Sequence, residues 1–348
     1  MGETRPRVLL QMNRLASYRV PVFNLLAEQV DLDVASFADL GRIENVRFNT
    51  IRGRLLKLGP FMYNRFPVKL ADYDVIITGF DGRNLNSYYY ALAYPRRTIL
   101  FAQGYGASLF TAIVRRAFHK RTAATLVYTQ ANAQQLIKTG VPGEKVFFTG
   151  NTVEVGNAPE RPRRSFLNIG TPRPLKRIDA VLTAVSIIRD ELPDHIRIVL
   201  AGPGVEAAYR PVAQKLGVAD LVEFQGEIRD ETAIAELFAE AIAFVTGHVG
   251  LSAPQALGHG VPVVARSDIV QAPEYECVVD HYTGRTYRTV EELARILLEF
   301  AQQPQAARGM GRTGLALYKT SLTAEAMRDR ILNAIKYAMR DRPVQNNR

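Results

Sequence analysis

The stretch HVGLSAPQALGHGVPVVA, residues 248–265, joins a glycine-containing loop, a helical segment and a buried strand. A helix is predicted to begin near Ala253 with Ser252 as its cap, because a Ser side chain accepts a hydrogen bond from a first-turn amide. The amides of Gly250, Leu251 and Ser252 would then point outward. Free amides and the helix dipole attract phosphate. The stretch alone fits a phosphate site and an ordinary helix start equally well.

Short apolar runs alternate with helical spacing through the rest of the chain. In the first half, strands are predicted at residues 7–12, 32–37, 75–78, 98–102, 126–129 and 146–149. In the second half, they are predicted at residues 166–170, 196–201, 222–224 and 243–246. This alternation is typical of an α/β protein with mostly parallel sheets covered by helices on both faces.

The alternation of strands and helices starts again at residue 166, after a stretch without periodicity, and this predicts two domains in the 348 residues. The N-terminal domain is assigned to residues 1–156 and the C-terminal domain to residues 165–320. Residues 157–164 (NAPERPRR) lack periodicity and read as a linker. A last helical segment within residues 321–348 presents an apolar face.

Charge and cysteine content indicate which partners and which cell compartment are compatible with the sequence. Residues 1–150 hold 20 Lys and Arg against 10 Asp and Glu, whereas residues 151–320 hold 18 against 21. The basic half is expected to face an anionic partner or simply to carry a solvated arginine-rich surface. A single cysteine, Cys277, excludes a disulfide within the chain. With no signal-like or spanning apolar run, we expect a cytoplasmic protein, with the inner face of the cytoplasmic membrane as an additional site.

One segment of the basic half mixes cations with bulky apolar residues. Residues 51–66 (IRGRLLKLGPFMYNRF) contain no acidic residue. Such a surface is what an anionic bilayer attracts, so peripheral membrane association is predicted. The alternative is that the apolar residues are core and the cations line a cleft for a soluble anionic glycan. No nucleic-acid-binding module is recognisable.

Glycine-containing loops follow four predicted strands of the second half. Parallel sheets bind ligands at the carboxyl ends of their strands, where glycine lets a ligand approach the backbone. The first loop adds Arg173 and Lys176, cations suited to a diphosphate. The other residues of these loops predicted to bind a nucleotide diphosphate are Gly170, Gly202, Gly204, Gly226, Ile228, Gly250, Leu251, Ser252 and Gln255.

These residues resemble those of retaining GT-B glycosyltransferases of family 4, the glycosyl transferases group 1. The family pattern VGR-x4-KG-x-D is matched by Ile169-Gly170-Thr171 followed by Lys176-Arg177-Ile178-Asp179. Its F-x-G turn is matched by residues 224–226, and its E-G-F-G-L-P-x-x-E-A-x-x-x-G-x-P-V-V by residues 247–264. The resemblance implies two Rossmann-like domains, with the final helix crossing back to the N-terminal domain.

The chain departs from the family at four positions, one of which is Gln103 in place of the histidine of a family His-Gly pair. Gly247 and Gln255 stand where the family has two glutamates, and Thr171 stands where it has arginine. Gln255 can still hydrogen-bond a ribose, and Arg173 can cover for Thr171, but Gly247 has no carboxylate. His248 is next in the chain and is predicted nearest the reacting sugar, with Glu274 approaching from a later loop.

The resemblance implies a sugar transfer, with retention, from a nucleotide-diphosphate sugar to a lipid-linked, polysaccharide or other glycan acceptor. Lys176, Arg173 and His248 take the catalytic roles, and Asn13, Arg14, Gln103 and Gly104 lie on the acceptor side. Two alternatives stay open: a catalytically weak homologue that binds a nucleotide or glycan in an assembly complex, and a sugar-nucleotide epimerase on the same fold.

No metal or other cofactor is expected. The triplets at residues 31–33 and 72–74 (Asp-x-Asp) stand at strand starts and are interpreted as charged edges. No His and Cys cluster has zinc spacing. His259 is predicted to pack in the interior, and His119, in a basic helix, to lie at the surface.

Overall fold

The computed structural model describes residues 5–37, 44–102 and 109–340. The chain divides into two compact units. The first runs to Asn151 and takes in the chain from Ala324 onward, and the second is Thr152–Thr323. Residues 157–164 lie in the second unit and contain neither helix nor strand.

The strands of the first unit are β1 (Arg7–Gln11), β2 (Asp31–Ser36), β3 (Asn49–Arg52), β4 (Arg54–Leu58), β5 (Phe61–Arg65), β6 (Val75–Phe80), β7 (Thr98–Ala102), β8 (Ala124–Val127) and β9 (Val146–Phe148). Those of the second are β10 (Ser165–Ile169), β11 (Arg197–Ala201), β12 (Val222–Gly226), β13 (Ala241–Thr246), β14 (Val263–Arg266) and β15 (Gly284–Tyr287). The helices are α1 (Val20–Ala27), α2 (Leu85–Ala93), α3 (Leu109–Arg121), α4 (Gln130–Lys138), α5 (Ile178–Ile187), α6 (Val205–Lys215), α7 (Glu231–Ala239), α8 (Ser252–Gly258), α9 (Val290–Gln302), α10 (Pro304–Ser321) and α11 (Ala324–Met339).

The first unit is built on a parallel sheet in the order β3-β2-β1-β6-β7-β8-β9, seven strands within the described residues. Alternate residues of its strands enter two cores. Val8 and Leu10 of β1 pack with α1 and α11, whereas Leu9 packs with Tyr90 of α2 on the other face. Both faces are therefore buried, which explains the continuous apolar runs.

A two-stranded antiparallel hairpin, β4–β5, follows β3 and was missed by the strand assignment. Its turn places Gly59 at φ +58°, a conformation that favours glycine. The hairpin holds most of the basic and apolar residues of the 51–66 segment.

The second unit repeats the scheme with the order β12-β11-β10-β13-β14-β15, again parallel throughout the part of the unit that is described. Phe166 of β10 enters a core with α5 and α9, and Leu167 enters the opposite core with α8. The loops after β10, β11, β12 and β13 all leave from the carboxyl edge of this sheet. This edge carries the residues predicted to bind the nucleotide.

One sequence prediction is wrong for lack of tertiary information, and another is incomplete. His119 is buried at 2% exposure, where its Nδ1 lies 2.9 Å from Thr125 Oγ1. Burial, aided by Arg115, lowers the pKa of His119 to about 4. Asp33 lies near the start of β2 as predicted but is buried, where it accepts a 2.5 Å hydrogen bond from Tyr73 Oη and lies 3.5 Å from Arg7 Nη2.

Candidate functional site

Two glycines bring the loops after β10 and β11 into direct backbone contact. Gly170 has φ +136° and Gly202 has φ +141°. A Cβ on Gly202 would lie 2.4 Å from the carbonyl oxygen of Gly170, which no side chain can accept. These positions therefore require glycine, and they keep the carboxyl edge of the sheet free of side-chain bulk.

Lys176 lies against the same edge, at the end of a short 3₁₀ turn, Pro174–Lys176. Its Nζ donates to the Ile169 carbonyl at 3.3 Å and lies 3.0 Å from where a Cβ on Gly170 would be. Among the described residues, no carboxylate lies within 4 Å of this ammonium group. Burial lowers the pKa of Lys176, and the nearby Arg173 guanidinium lowers it further. A partly buried cation without a counter-ion provides a site for an anion.

The start of α8 lies beside Lys176. Ser252 Oγ contacts the same Ile169 carbonyl, at 3.4 Å. The predicted Ser252 cap is wrong: α8 begins at Ser252 itself, and no side chain caps it. In the described part of the chain, the amides of Gly250, Leu251 and Ser252 have no hydrogen-bond acceptor. Ser252 Oγ and the Lys176 ammonium group thus meet at one carbonyl, next to the amides at the start of α8. This arrangement is suited to phosphate oxygens.

Gly247, where the family has a glutamate, is packed too tightly for any side chain. Its amide donates to the Lys176 carbonyl at 2.7 Å. A Cβ there would lie 2.7 Å from Arg177 Cβ and 2.9 Å from the carbonyl oxygens of both Leu175 and Lys176. The Lys176 loop therefore occupies the space that a glutamate side chain would need to leave the backbone.

His248 lies half-buried between charged neighbours. Burial lowers its pKa, Lys176 and Arg173 lower it further, and Glu274 opposes them. Lys176, Arg173 and Glu274 are thus all within electrostatic reach of His248. At neutral pH the lowered pKa leaves His248 uncharged, able to donate or accept a hydrogen bond.

Gln271 holds the loop that carries His248, and the sequence reasoning missed it. Its Oε1 accepts from the Val249 amide at 2.8 Å, and its Nε2 donates to the carbonyls of Gly247 at 3.0 Å and Arg266 at 2.6 Å. The available signal was an amide side chain in the loop after β14, at the end of Ser-Asp-Ile-Val-Gln. Its role depends on a fold in which this loop packs on the β13 loop.

The remaining residues predicted to bind the sugar nucleotide lie at the same edge, and their side chains have no hydrogen-bond partner in the described chain. Gly204 and Gly226 adopt left-handed conformations with open space around them, and Ile228 follows Gly226 in the loop. Gln255 is half-buried in the first turn of α8, and Leu251 precedes that helix. Their positions fit a nucleoside lying along the sheet edge.

Comparison with known proteins finds a family that resembles this part of the chain. Residues 163–303 match the family Glycosyl transferases group 1. The D-inositol 3-phosphate glycosyltransferase of Streptomyces coelicolor is 32% identical over 157 residues, which are 41% of this chain and 34% of that protein. The match thus spans about a third of the length of that curated relative.

Solved structures extend the likeness over the whole fold. The Anabaena protein HepE, solved in complex with UDP and glucose, superposes with a TM-score of 0.67 at 14% identity, covering 95% of this chain and 99% of HepE. A glycosyltransferase from Rickettsia africae gives a TM-score of 0.73 at 11% identity, covering 97% and 100%. The chain has the GT-B fold, and most of its second unit matches the group 1 glycosyltransferases. The predicted fold class and the resemblance to GT-B glycosyltransferases are confirmed, and retention of configuration stays a prediction.

The first unit of this GT-B protein has a pocket of about 410 Å³ at the carboxyl edge of its own sheet. Asn13 and Arg14, predicted for the acceptor, line it together with Asp81, whose Oδ2 accepts from Asn13 Nδ2 at 3.1 Å. Gln103 and Gly104, predicted beside them, lie outside the described residues. In the described chain, no three His, Cys, Asp or Glu side chains come together as a metal-binding group.

The structure confirms the prediction that His259 has a packing role. Its ring stacks on Phe238 at 4.9 Å, and burial lowers its pKa to about 4. None of the helices in the described ranges has the length and apolar character needed to cross a membrane.

Proposed function

We propose that this protein transfers a sugar from a nucleotide-diphosphate sugar to a glycan or lipid-linked acceptor, with retention of anomeric configuration. The observation that carries the proposal is Lys176, a partly buried ammonium group close to the start of α8. Within the described residues it has no carboxylate partner, and the three amides before and at that start have no acceptor. The group 1 match over the same unit supports it, as does HepE, solved with UDP and glucose on the same fold.

The chemistry assigned to this edge is stabilisation of a leaving group. As the bond between the sugar carbon and the diphosphate oxygen breaks, its electron pair goes to the diphosphate. Lys176, Arg173 and the amides before α8 neutralise the charge that develops there. The acceptor hydroxyl attacks from the same face, and its proton passes to the departing phosphate. His248, uncharged at neutral pH, hydrogen-bonds the reacting sugar.

Release of nucleoside diphosphate from a panel of sugar nucleotides tests the proposal. We expect turnover with one donor in wild type and in Lys215→Ala, which removes an exposed lysine of α6, and its loss in Lys176→Ala. Equal turnover in Lys176→Ala would overturn the assignment. Because the cation in this proposal is a lysine, EDTA should leave the rate unchanged. The anomeric configuration of the product, read by NMR, tests retention, and an altered sugar still attached to nucleotide would indicate an epimerase.

A catalytically weak, nucleotide-binding role is the second candidate, and Gly247 favours it. The position of a family carboxylate is closed by the Lys176 loop. This role predicts that a nucleoside diphosphate binds and depends on Lys176, while no sugar nucleotide is turned over. Binding and turnover measured on the same preparation separate the two candidates.

We further propose that the hairpin β4–β5 brings this protein to anionic membrane surfaces. Its pairing puts Leu58 opposite Phe61 at the turn, and these side chains are 59% and 42% exposed. Leu56 lies two residues further from the turn on the same face, is 38% exposed and pairs with Tyr63. Arg54 pairs with Arg65 behind them, both exposed.

This pattern fits a hairpin whose turn enters the headgroup region while arginines contact anionic lipids. Each basic residue near such a surface contributes about 1 kcal/mol. A lipid-linked acceptor at the inner face of the cytoplasmic membrane would account for the placement. The alternative, cations that line a cleft for a soluble anionic glycan, predicts no binding to lipid.

Sedimentation with anionic and neutral liposomes, at low and high salt, tests the membrane proposal. We expect salt-sensitive binding to anionic liposomes that is lost when Arg52, Arg54 and Lys57 become glutamate. A matched control reverses three exposed cations of the second unit: Lys215, Arg312 and Lys319. Binding that is equal for both liposomes, or equally reduced in both variants, would contradict the role of the hairpin.

A further inference from the structure

The pocket of the first unit contains a buried cation that the predicted acceptor residues do not include. Arg19 is 5% exposed and lines the pocket. Its Nη2 donates to Tyr128 Oη at 3.0 Å, and its Nη1 lies 3.4 Å from Met327 Sδ. The guanidinium lies over the rings of Tyr18 and Tyr128, 5.2 Å from each centroid.

No carboxylate among the described residues lies within 4 Å of the Arg19 guanidinium. A phenol and a thioether do not neutralise a full charge. Buried arginines are almost always paired, since an uncompensated buried charge is costly. An anion entering the pocket would supply the missing partner.

Two residues that line the pocket each have a buried side-chain atom without a hydrogen-bond partner in the described chain: Gln11 Nε2 and Asn13 Oδ1. Gln11 is 1% exposed, and its Oε1 already accepts from Thr78 Oγ1 at 2.5 Å. The pocket therefore offers a cation, an unused donor and an unused acceptor. Asp81 on the rim carries a negative charge, which disfavours a ligand with anionic groups at both ends.

We infer that this pocket binds an acceptor through one anionic group, a phosphate or carboxylate held by Arg19. Neighbouring hydroxyls of the same ligand bond to Gln11 Nε2 and Asn13 Oδ1. A guanidinium matches the two oxygens of either anion in a bidentate contact. The inference rests on the proposed function in one respect: that the first unit takes the acceptor.

Direct titration with small probes tests the inference independently of turnover. Glucose 6-phosphate and glucuronate are compared with neutral glucose. All titrations use the full-length chain in a Lys176→Ala background, which removes the anion site of the second unit. Arg19→Met removes the cation, and Arg96→Met, at an exposed arginine of the same unit, is the matched control.

We expect at least one anionic probe to bind at least tenfold tighter than glucose, with this preference retained in Arg96→Met and lost in Arg19→Met. Circular dichroism checks the fold, and if Arg19→Met is unfolded, Arg19→Lys should still lower the anionic affinity several-fold while leaving glucose unchanged. Absence of anionic preference in wild type, or the same preference in a folded Arg19 variant, would overturn the inference. Failure of donor turnover alone would count only against the proposed function.

Discussion

Replacement of Gly247 by alanine probes the feature that separates this chain from its family. The added Cβ would lie 2.7 Å from Arg177 Cβ and 2.9 Å from two carbonyl oxygens, all belonging to the Lys176 loop. Real Cβ atoms essentially never approach so closely, and the obstacles are mostly backbone. The loop must therefore move away, which also breaks the 2.7 Å hydrogen bond from the Gly247 amide to the Lys176 carbonyl.

Overpacking of this kind costs about 1–3 kcal/mol. For a unit of this size, that cost lowers the melting temperature by roughly 2–12 °C. Because the same movement withdraws Lys176 from the sheet edge, we also expect weaker nucleoside-diphosphate binding. Differential scanning calorimetry and isothermal titration measure the two effects on one preparation.

Gly250→Ala is the matched control, since a Cβ at Gly250 meets nothing within 4 Å. Its melting temperature should lie within about a degree of that of wild type. Substitutions that neither overpack the interior nor remove a contact usually change the free energy of unfolding by no more than about 0.5 kcal/mol. Unchanged melting and binding in Gly247→Ala would refute the packing argument. Glutamate at residue 247, the family residue, should be at least as destabilising as alanine.

Three further predictions concern single residues. Gln271→Leu removes three hydrogen bonds, each worth about 1 kcal/mol, and two of them hold the loop at residues 247–249. We expect a lower melting temperature and weaker nucleotide binding, whereas wild-type values would exclude a positioning role. Gln255→Ala should raise the donor KM more than it lowers kcat, since ribose contacts are similar in ground and transition states. Gln255→Glu should retain activity, and complete loss of activity in a folded Gln255→Glu variant would count against the alignment with the family. The pKa of His119 is lowered to about 4, so the unfolded state binds more protons than the native state between pH 6.5 and 4. The free energy of unfolding therefore falls as pH falls through that window, by up to about 3 kcal/mol. His119→Asn should make the melting temperature less dependent on pH in this window, and an unchanged dependence would contradict the linkage.

Much of the fold was predictable because both sheets are parallel and buried on both faces. Such strands appear as short continuous apolar runs, and β1, β2, β6, β10 and β13 were found from them. The hairpin β4–β5 was missed because it is exposed, so its apolar residues follow no burial pattern. Strand order and the buried position of His119 depend on contacts between distant segments, which periodicity does not record.

For the candidate site, the predictable part was local. Glycines at strand ends and a lysine in a glycine-rich loop indicate a phosphate site by chemistry alone. The roles of Ser252 and Gln271 depend on which loops pack together, so the first was assigned wrongly as a cap and the second was missed. Arg19 was missed because its lack of a carboxylate partner becomes visible only when the surrounding elements are assembled.

The central claim is that Lys176 and the start of α8 form a site for the diphosphate of a sugar nucleotide. The most direct test is the melting temperature of wild type, Lys176→Ala and Lys215→Ala with a panel of nucleoside diphosphates, because a ligand that binds the native state stabilises it. The account predicts that one nucleoside diphosphate raises the melting temperature of wild type and Lys215→Ala and has little effect on Lys176→Ala. An equal rise in all three proteins, or no rise with any nucleoside diphosphate, would contradict it.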